Sequence, residues 1–417
     1  MSINPITFIR ALRPRKSEHY LLLSFFMMGL SKYFPQGSPG AYIFMFLAVV
    51  FFFGVFILTK WSIHIEGQAG KWYWLLAIWS IGLTIQFAFT GTQGLGTNFS
   101  TIFASKNFLP NLIPLTVLCL KRDDFDLKYL INLLLLMSLV YFLIFPFAIQ
   151  KVMAAGAIIQ ASGLAAAGEE YLEMIHESTM GITYFFPGFL VLFFRKYIKN
   201  VYFYVFLAII FEYLFLNTYM ARRGTVIICS LYLLLFWFTY SKGEDRIDFK
   251  TVMLGIIVFA GISYFVISNE NSIFSIFFER LDTDSRSGLA DDFINDFNTM
   301  DWIIGRGWFG KYAGSFANGL RDVIEVGYLY LILKGGIIYL IPYVFVLLSS
   351  AMKGYFDSNN FLCKGFAILC FMKVFSLIPF GVPSFTIEEF LVWVGVVFCN
   401  SAYYRNLSNN EIKLLIT

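Results

Sequence analysis

The chain has 417 residues, of which 58% are hydrophobic and 14% charged, with a formal net charge of +4. A soluble domain carries about 25% charged residues, so this composition excludes an ordinary soluble fold and asks for a bilayer as solvent. The small net charge gives no ground for a nucleic-acid partner, and the placement of the charges says more than their sum.

Taken in chain order, Arg10, Arg13, Arg15 and Lys16 precede a long apolar run with no small-residue cleavage site after it, which reads as a retained first span and not a cleaved signal. A helix needs about 20 apolar residues to cross the hydrocarbon. On that scale the predicted spans are 19–34, 41–59, 72–90, 104–120, 129–150, 179–194, 200–217, 224–240, 251–267, 323–351, 362–378 and 385–403. The first and fourth are short, and Pro110 and Pro114 are expected to kink the fourth. The expected fold is therefore all-α, a polytopic bundle of about twelve transmembrane helices forming a single integral-membrane domain over 1–417.

Basic residues set the expected orientation. Lys121, Arg122 and Lys128, then Arg195, Lys196 and Lys199, then Lys242, Arg246 and Lys250, then Arg405 and Lys413 all fall on the side of the N-terminus. By the positive-inside rule both termini are cytoplasmic. Two outer loops are long, roughly 151–178 and 268–322, and loops of that length usually carry function or structure of their own.

The second loop departs from positive-inside composition. It holds Arg280, Arg286, Arg306 and Arg321, with Asp282, Asp284, Asp291, Asp292, Asp296 and Asp301 nearby. Surface ion pairing is one reading of these arginines; an anion site is the other, because guanidinium matches phosphate oxygens bidentately and stays charged. Leu289, Phe293, Ile294, Phe297 and Met300 recur at helical spacing opposite Asp291, Asp292 and Asp296, which predicts an amphipathic helix on the membrane surface. Ser285 or Ser287 can cap it, placing Arg286 at an anion-favouring helix start.

Gly305-Arg306-Gly307-Trp308-Phe309-Gly310 has the form GxGxxG. In an outer loop it lacks the strand–turn–helix setting of a dinucleotide site, and it reads as a tight turn bringing Arg306 against a ligand or the membrane, or as a purely structural turn. Arg222-Arg223-Gly224 opens the eighth span, where two cations oppose the helix dipole. A bound anion relieves that cost, and snorkelling to headgroups is the alternative. Arg321 and Glu325 stand four apart, as a helix salt bridge or with Glu325 as a general base. Lys334, Lys373, Glu212, Glu388 and Glu389 fall in or near spans, with no location evident from the sequence. Cys119, Cys229, Cys363, Cys370 and Cys399 form no CxxC pair, and His19, His64 and His176 form no metal-ligand spacing, so neither metal nor other cofactor is expected.

Over about residues 200–350 the chain resembles the O-antigen polymerase and O-antigen ligase superfamily of integral-membrane sugar transferases. The resemblance rests on Arg223-Gly224 before the last long outer loop, Asp284-Ser285-Arg286-Ser287 followed by Ile304-Gly305-Arg306-Gly307, and Glu325-Val326-Gly327-Tyr328-Leu329 running to Lys334-Gly335-Gly336. It implies a GT-C type fold in a bacterial inner membrane and a reaction on the periplasmic face. It implies undecaprenyl-pyrophosphate-linked oligosaccharides as donor and acceptor, with Arg223 and Arg286 on the pyrophosphate. Arg222, Arg280, Arg306, Arg321 and Tyr328 are the further candidates for substrate contact. It also admits a chain-length regulator protein as partner. Ligases of this superfamily place a histidine about where this chain has Glu325, which favours polymerase over ligase. A lipid-linked oligosaccharide flippase is the remaining alternative.

Overall fold

A computed structural model of the protein describes residues 14, 16–34, 37–58, 68–90, 108–120, 125–162, 181–220, 222–241, 287–314, 319–379 and 381–416. Among these the chain is helical apart from one short hairpin. In order come α1 (Ser17–Tyr33), α2 (Pro39–Leu58), α3 (Gln68–Thr90) and α4 (Leu109–Leu112), the last running into a 3-10 helix over Ile113–Cys119. Then follow α5 (Leu127–Ser162), a second 3-10 helix (Phe189–Phe194), α6 (Asn200–Tyr219) and α7 (Arg223–Ser241). Before the next long helix come α8 (Ser287–Asp296), α9 (Thr299–Ile304), β1 (Tyr312–Gly314) and β2 (Gly319–Arg321). The chain continues through α10 (Gly327–Phe356), α11 (Phe361–Ser376), α12 (Ile387–Asn400), α13 (Ala402–Asn406) and α14 (Asn409–Ile416).

Three of these helices are long and apolar enough to cross a membrane: Leu127–Met153 within α5, Asn200–Tyr219, and Gly327–Phe356. Shorter apolar helices lie at Pro39–Val55, Leu109–Leu118 and Gly224–Tyr240. The apolar helices fit a membrane protein, while the described residues do not carry the expected number of spans. The span expected over 251–267 lies outside the described residues.

Local chemistry explains the departures. The 179–194 run is no continuous helix: its backbone leaves the helix near Tyr184 and resumes as a 3-10 turn at Phe189. Pro187 and Gly188, the latter at φ 79°, cause the break. The 104–120 run changes from α to 3-10 geometry at Ile113-Pro114. The 129–150 run instead overshoots into the first outer loop, because its Ala-rich continuation favours helix up to Ser162.

The core is built around α10, which packs against α11, α3 and α12. Its aromatic residues Tyr330, Tyr339 and Tyr343 are fully or almost fully buried. Four of the five cysteines, Cys229, Cys363, Cys370 and Cys399, are free and buried, as expected of small core residues.

Candidate functional site

α10 is broken near its start. Gly336 takes φ 70° and ψ −174°, outside helical geometry. In an unbroken helix the carbonyls of Leu333 and Lys334 would accept hydrogen bonds from the residues four further on. Here they accept from the turn after α9 instead: Arg306 N–H donates to Leu333 O at 2.8 Å and Gly307 N–H to Lys334 O at 3.0 Å. Trp79 Nε1 on α3 donates to Gly335 O at 2.8 Å. An added Cβ at Gly336 would collide with the Ile303 carbonyl, so only glycine fits this seam.

Lys334 completes the joint. It is fully buried, and its Nζ donates to Gly310 O at 3.0 Å and Asp322 O at 2.7 Å, over the ring of Tyr330. A buried ammonium is tolerated only when its protons are satisfied, so Lys334 ties the backbone at Gly310 and at Asp322 to α10.

The predicted amphipathic helix over 289–300 is two helices. Asn298 caps α9, accepting from Asp301 N–H at 2.9 Å while Asp301 accepts from Asn298 N–H at 3.3 Å. The apolar stripe divides accordingly. Phe293 and Phe297 turn inward against Trp302, with Phe293 also against Tyr312, whereas Ile294 and Met300 are exposed.

Arg306 follows the ion-pairing alternative. It reaches Asp296 and Asp301 and donates to the carbonyls of Asp296 and Lys311. Its guanidinium lies 4.5 Å from the Phe297 ring centroid. Burial lowers its pKa, but the carboxylates of Asp301 and Asp296 outweigh burial and raise it.

Arg321 and Glu325 do not share a helix, because α10 begins only at Gly327 and Arg321 lies in β2, paired with Tyr312. Both are exposed. Both act electrostatically on Tyr312, whose hydroxyl is buried without a hydrogen-bond partner. Burial raises the Tyr312 pKa, Arg321 opposes, and Asp292 and Glu325 add to the rise. Tyr328 is exposed on the first turn of α10, and its N–H donates to Leu377 O at the end of α11.

Arg223 opens α7, but its side chain lies outside the described residues, as do Arg280 and Arg286 entirely. Arg222 sits half-buried in the turn between α6 and α7. Its backbone N–H donates to Asn217 O at 2.9 Å. Its guanidinium makes no hydrogen bond or ion pair among the described residues and lies within electrostatic reach of Tyr213.

The charged residues that sequence reasoning left unplaced lie within the packed helices. Lys373 Nζ pairs with Glu389 Oε2 at 2.6 Å and donates to Gly381 O at 3.0 Å. Tyr343 donates to Glu389 Oε1 at 3.3 Å. Glu388, one residue earlier in the first turn of α12, is half-buried and acts electrostatically on Tyr213, Cys229 and Tyr232. Glu212 on α6 faces Tyr141 of α5. Glu212 Oε2 and the Tyr141 hydroxyl are both buried without partners. Sequence spacing carries no trace of these groupings, because the residues stand on six helices.

No protein-family model, curated protein or solved structure matches the chain.

Proposed function

We propose that the protein is a membrane glycosyltransferase that polymerises lipid-pyrophosphate-linked oligosaccharide repeats on the outer face of a bacterial inner membrane. In this reading the bundle is of GT-C type, with about twelve spans and both termini cytoplasmic. Donor and acceptor are undecaprenyl-pyrophosphate-linked glycans, and a chain-length regulator is an additional partner.

The observation that carries this reading is Arg222. A cation at a membrane boundary, half-buried and with no acid of its own among the described residues, is costly unless an anion arrives. A lipid diphosphate is such an anion, and it is already confined to the plane of the membrane. Arg223 opens the adjoining helix and doubles the positive charge. Fixed cations in a poorly hydrated site stabilise a departing diphosphate as its bond to the sugar breaks.

The outer segment supports the same reading as a platform. It is held to α10 by the Gly336 seam and Lys334, and Arg321, Asp292 and Glu325 act electrostatically on Tyr312 within or beside it. These groups suit a sugar bearing many hydroxyls. The experiment is a gene deletion in the source bacterium: loss of a polymerase leaves single repeats on the lipid carrier. Loss of a ligase leaves finished polymer on the carrier, and that outcome would replace the proposal with the ligase reading.

One observation favours a second reading. Lys373, Glu388, Glu389 and Glu212 place charge inside the bundle, as a flippase for the same lipid-linked glycan would. Purified protein in vesicles separates the two, since a flippase moves the labelled lipid across the bilayer without joining repeats.

A further inference from the structure

α9 stands where lipid would otherwise meet α10. Before the Gly336 break, Leu329, Tyr330, Leu331, Ile332 and Leu333 are all buried, and α9 with the turn after it covers part of that surface. Beyond the break α10 exposes Ile337, Ile341 and Phe345. These are four residues apart and make one stripe, the side that a spanning helix turns to lipid.

Two neighbouring helices measure the depth of α9. At about 1.5 Å per residue, α10 from Ile337 to Phe356 runs about 30 Å, the hydrocarbon thickness of a bilayer, so the break at Gly336 stands at the hydrocarbon boundary. α3 runs beside α10, with Trp72 stacked on Phe345 at 4.8 Å and Trp79 bonded to Gly335 O. Its exposed apolar stripe of Trp74, Ile78, Ile81 and Ile85 continues about 9 Å past the level of Trp79. The apolar belt of the bundle therefore extends beyond the break, and α9, whose backbone at Ile303 abuts Gly336, lies within that belt.

One side of α9 suits that position. Met300, Ile303 and Ile304 are 62%, 41% and 40% exposed, and Thr299 is the polar residue beside them. The charged residue of the helix, Asp301, is taken up by Arg306. α8 differs, because its exposed side carries Asp291 and Asn295 around Ile294, a composition that suits water.

We propose that α9 is sunk into the bilayer leaflet at the Gly336 end of α10, with Met300, Ile303 and Ile304 against lipid acyl chains. This is deeper than the surface helix expected over 289–300, and it belongs to a different helix face. α9 replaces lipid as the neighbour of α10 and passes the lipid contact on to its own outer side. The inference needs only that α10 crosses the membrane, and it stands apart from the glycosyltransferase reading.

The first test uses the unaltered full-length protein in vesicles of phosphatidylethanolamine and phosphatidylglycerol, with a trace of phospholipid bearing a diazirine on its acyl chain. Photolysis should label the peptide holding 299–304 as well as the one holding 341–345. Label on 341–345 with none on 299–304 would overturn the proposal. The second test places a nitroxide on a cysteine at Met300, Ile303 or Asn295 in the same vesicles, with wild type carried through the labelling as the background from native cysteines. At 300 and 303 oxygen should relax the label more than a water-soluble nickel chelate does, and at 295 the order should reverse. Equal nickel access at all three positions would place α9 in water, and low access of both reagents at 300 and 303 would mean that protein covers the face; either result overturns the proposal.

Discussion

The backbone N–H of Arg306 donates to the carbonyl of Leu333 at 2.8 Å, so the segment carrying α8 and α9 is hydrogen-bonded into the interior of a helix and does not merely rest on it. The joint exists because Gly336 breaks α10 at that level and leaves carbonyls for the loop to satisfy. It converts a long connection into a rigid part of the bundle.

Gly336→Ala should therefore detach the segment carrying α8 and α9. The positive φ alone costs about 1–3 kcal/mol in a non-glycine residue, and the collision with Ile303 adds to it. Limited proteolysis is expected to cut between α8 and β1 in this variant well before it cuts the wild type; identical protection would show that the seam is dispensable.

Arg306→Ala tests whether this arginine is structural. It removes two carboxylate contacts and two hydrogen bonds to backbone carbonyls from a side chain 23% exposed. A loss of about 1–3 kcal/mol in stability is expected, with the affinity for undecaprenyl pyrophosphate unchanged. Weaker lipid binding with normal thermal stability would return Arg306 to the substrate site.

Lys373 and Glu389 form a buried pair, with side chains 9% and 6% exposed. Removing one partner leaves a lone buried charge and should cost about 3–5 kcal/mol. Lys373→Met alone is expected to destabilise more than the double variant Lys373→Met with Glu389→Leu. A double variant that is worse than the single, measured by thermal unfolding in detergent, would contradict this.

Glu411 closes the capping box of α14. Its carboxylate accepts from the backbone N–H and the hydroxyl of Ser408, each at 2.7 Å, which holds its pKa below the ordinary carboxylate value. A depressed folded pKa means that the cap contributes fully above the unfolded value of about 4.3 and is lost as pH falls through the folded one. Amide exchange of 409–416 should speed up below that range, and Glu411→Gln should show the faster exchange already at neutral pH.

Much of the bundle was legible because apolar runs of helical length announce themselves: α6 and α7 lie almost where the hydropathy places them. The breaks were harder to read. Gly335-Gly336 sits inside an unbroken apolar run, and nothing local says that a loop some thirty residues upstream will fill the gap. Asn298 and Asp301 do carry a readable capping signature, which the continuing apolar stripe through Phe297 and Met300 masked. Arg306 had acids at hand in the sequence, but spacing alone does not separate pairing from ligand contact.

The polar cluster was illegible for a different reason. Tyr141, Glu212, Arg222, Lys373 and Glu388 are scattered across most of the chain, on four helices and one turn, and come within electrostatic reach of one another or of Tyr213 only when those helices pack. Each alone reads as an isolated polar residue in an apolar run.

Polymer formation by the purified protein tests the central claim most directly. Incubated in nanodiscs with a single-repeat undecaprenyl-pyrophosphate oligosaccharide, the wild type should yield a ladder of products spaced by one repeat, and Arg222→Ala should require a much higher donor concentration to do so. Unchanged single repeats after prolonged incubation, in the presence of demonstrable lipid binding, would contradict it.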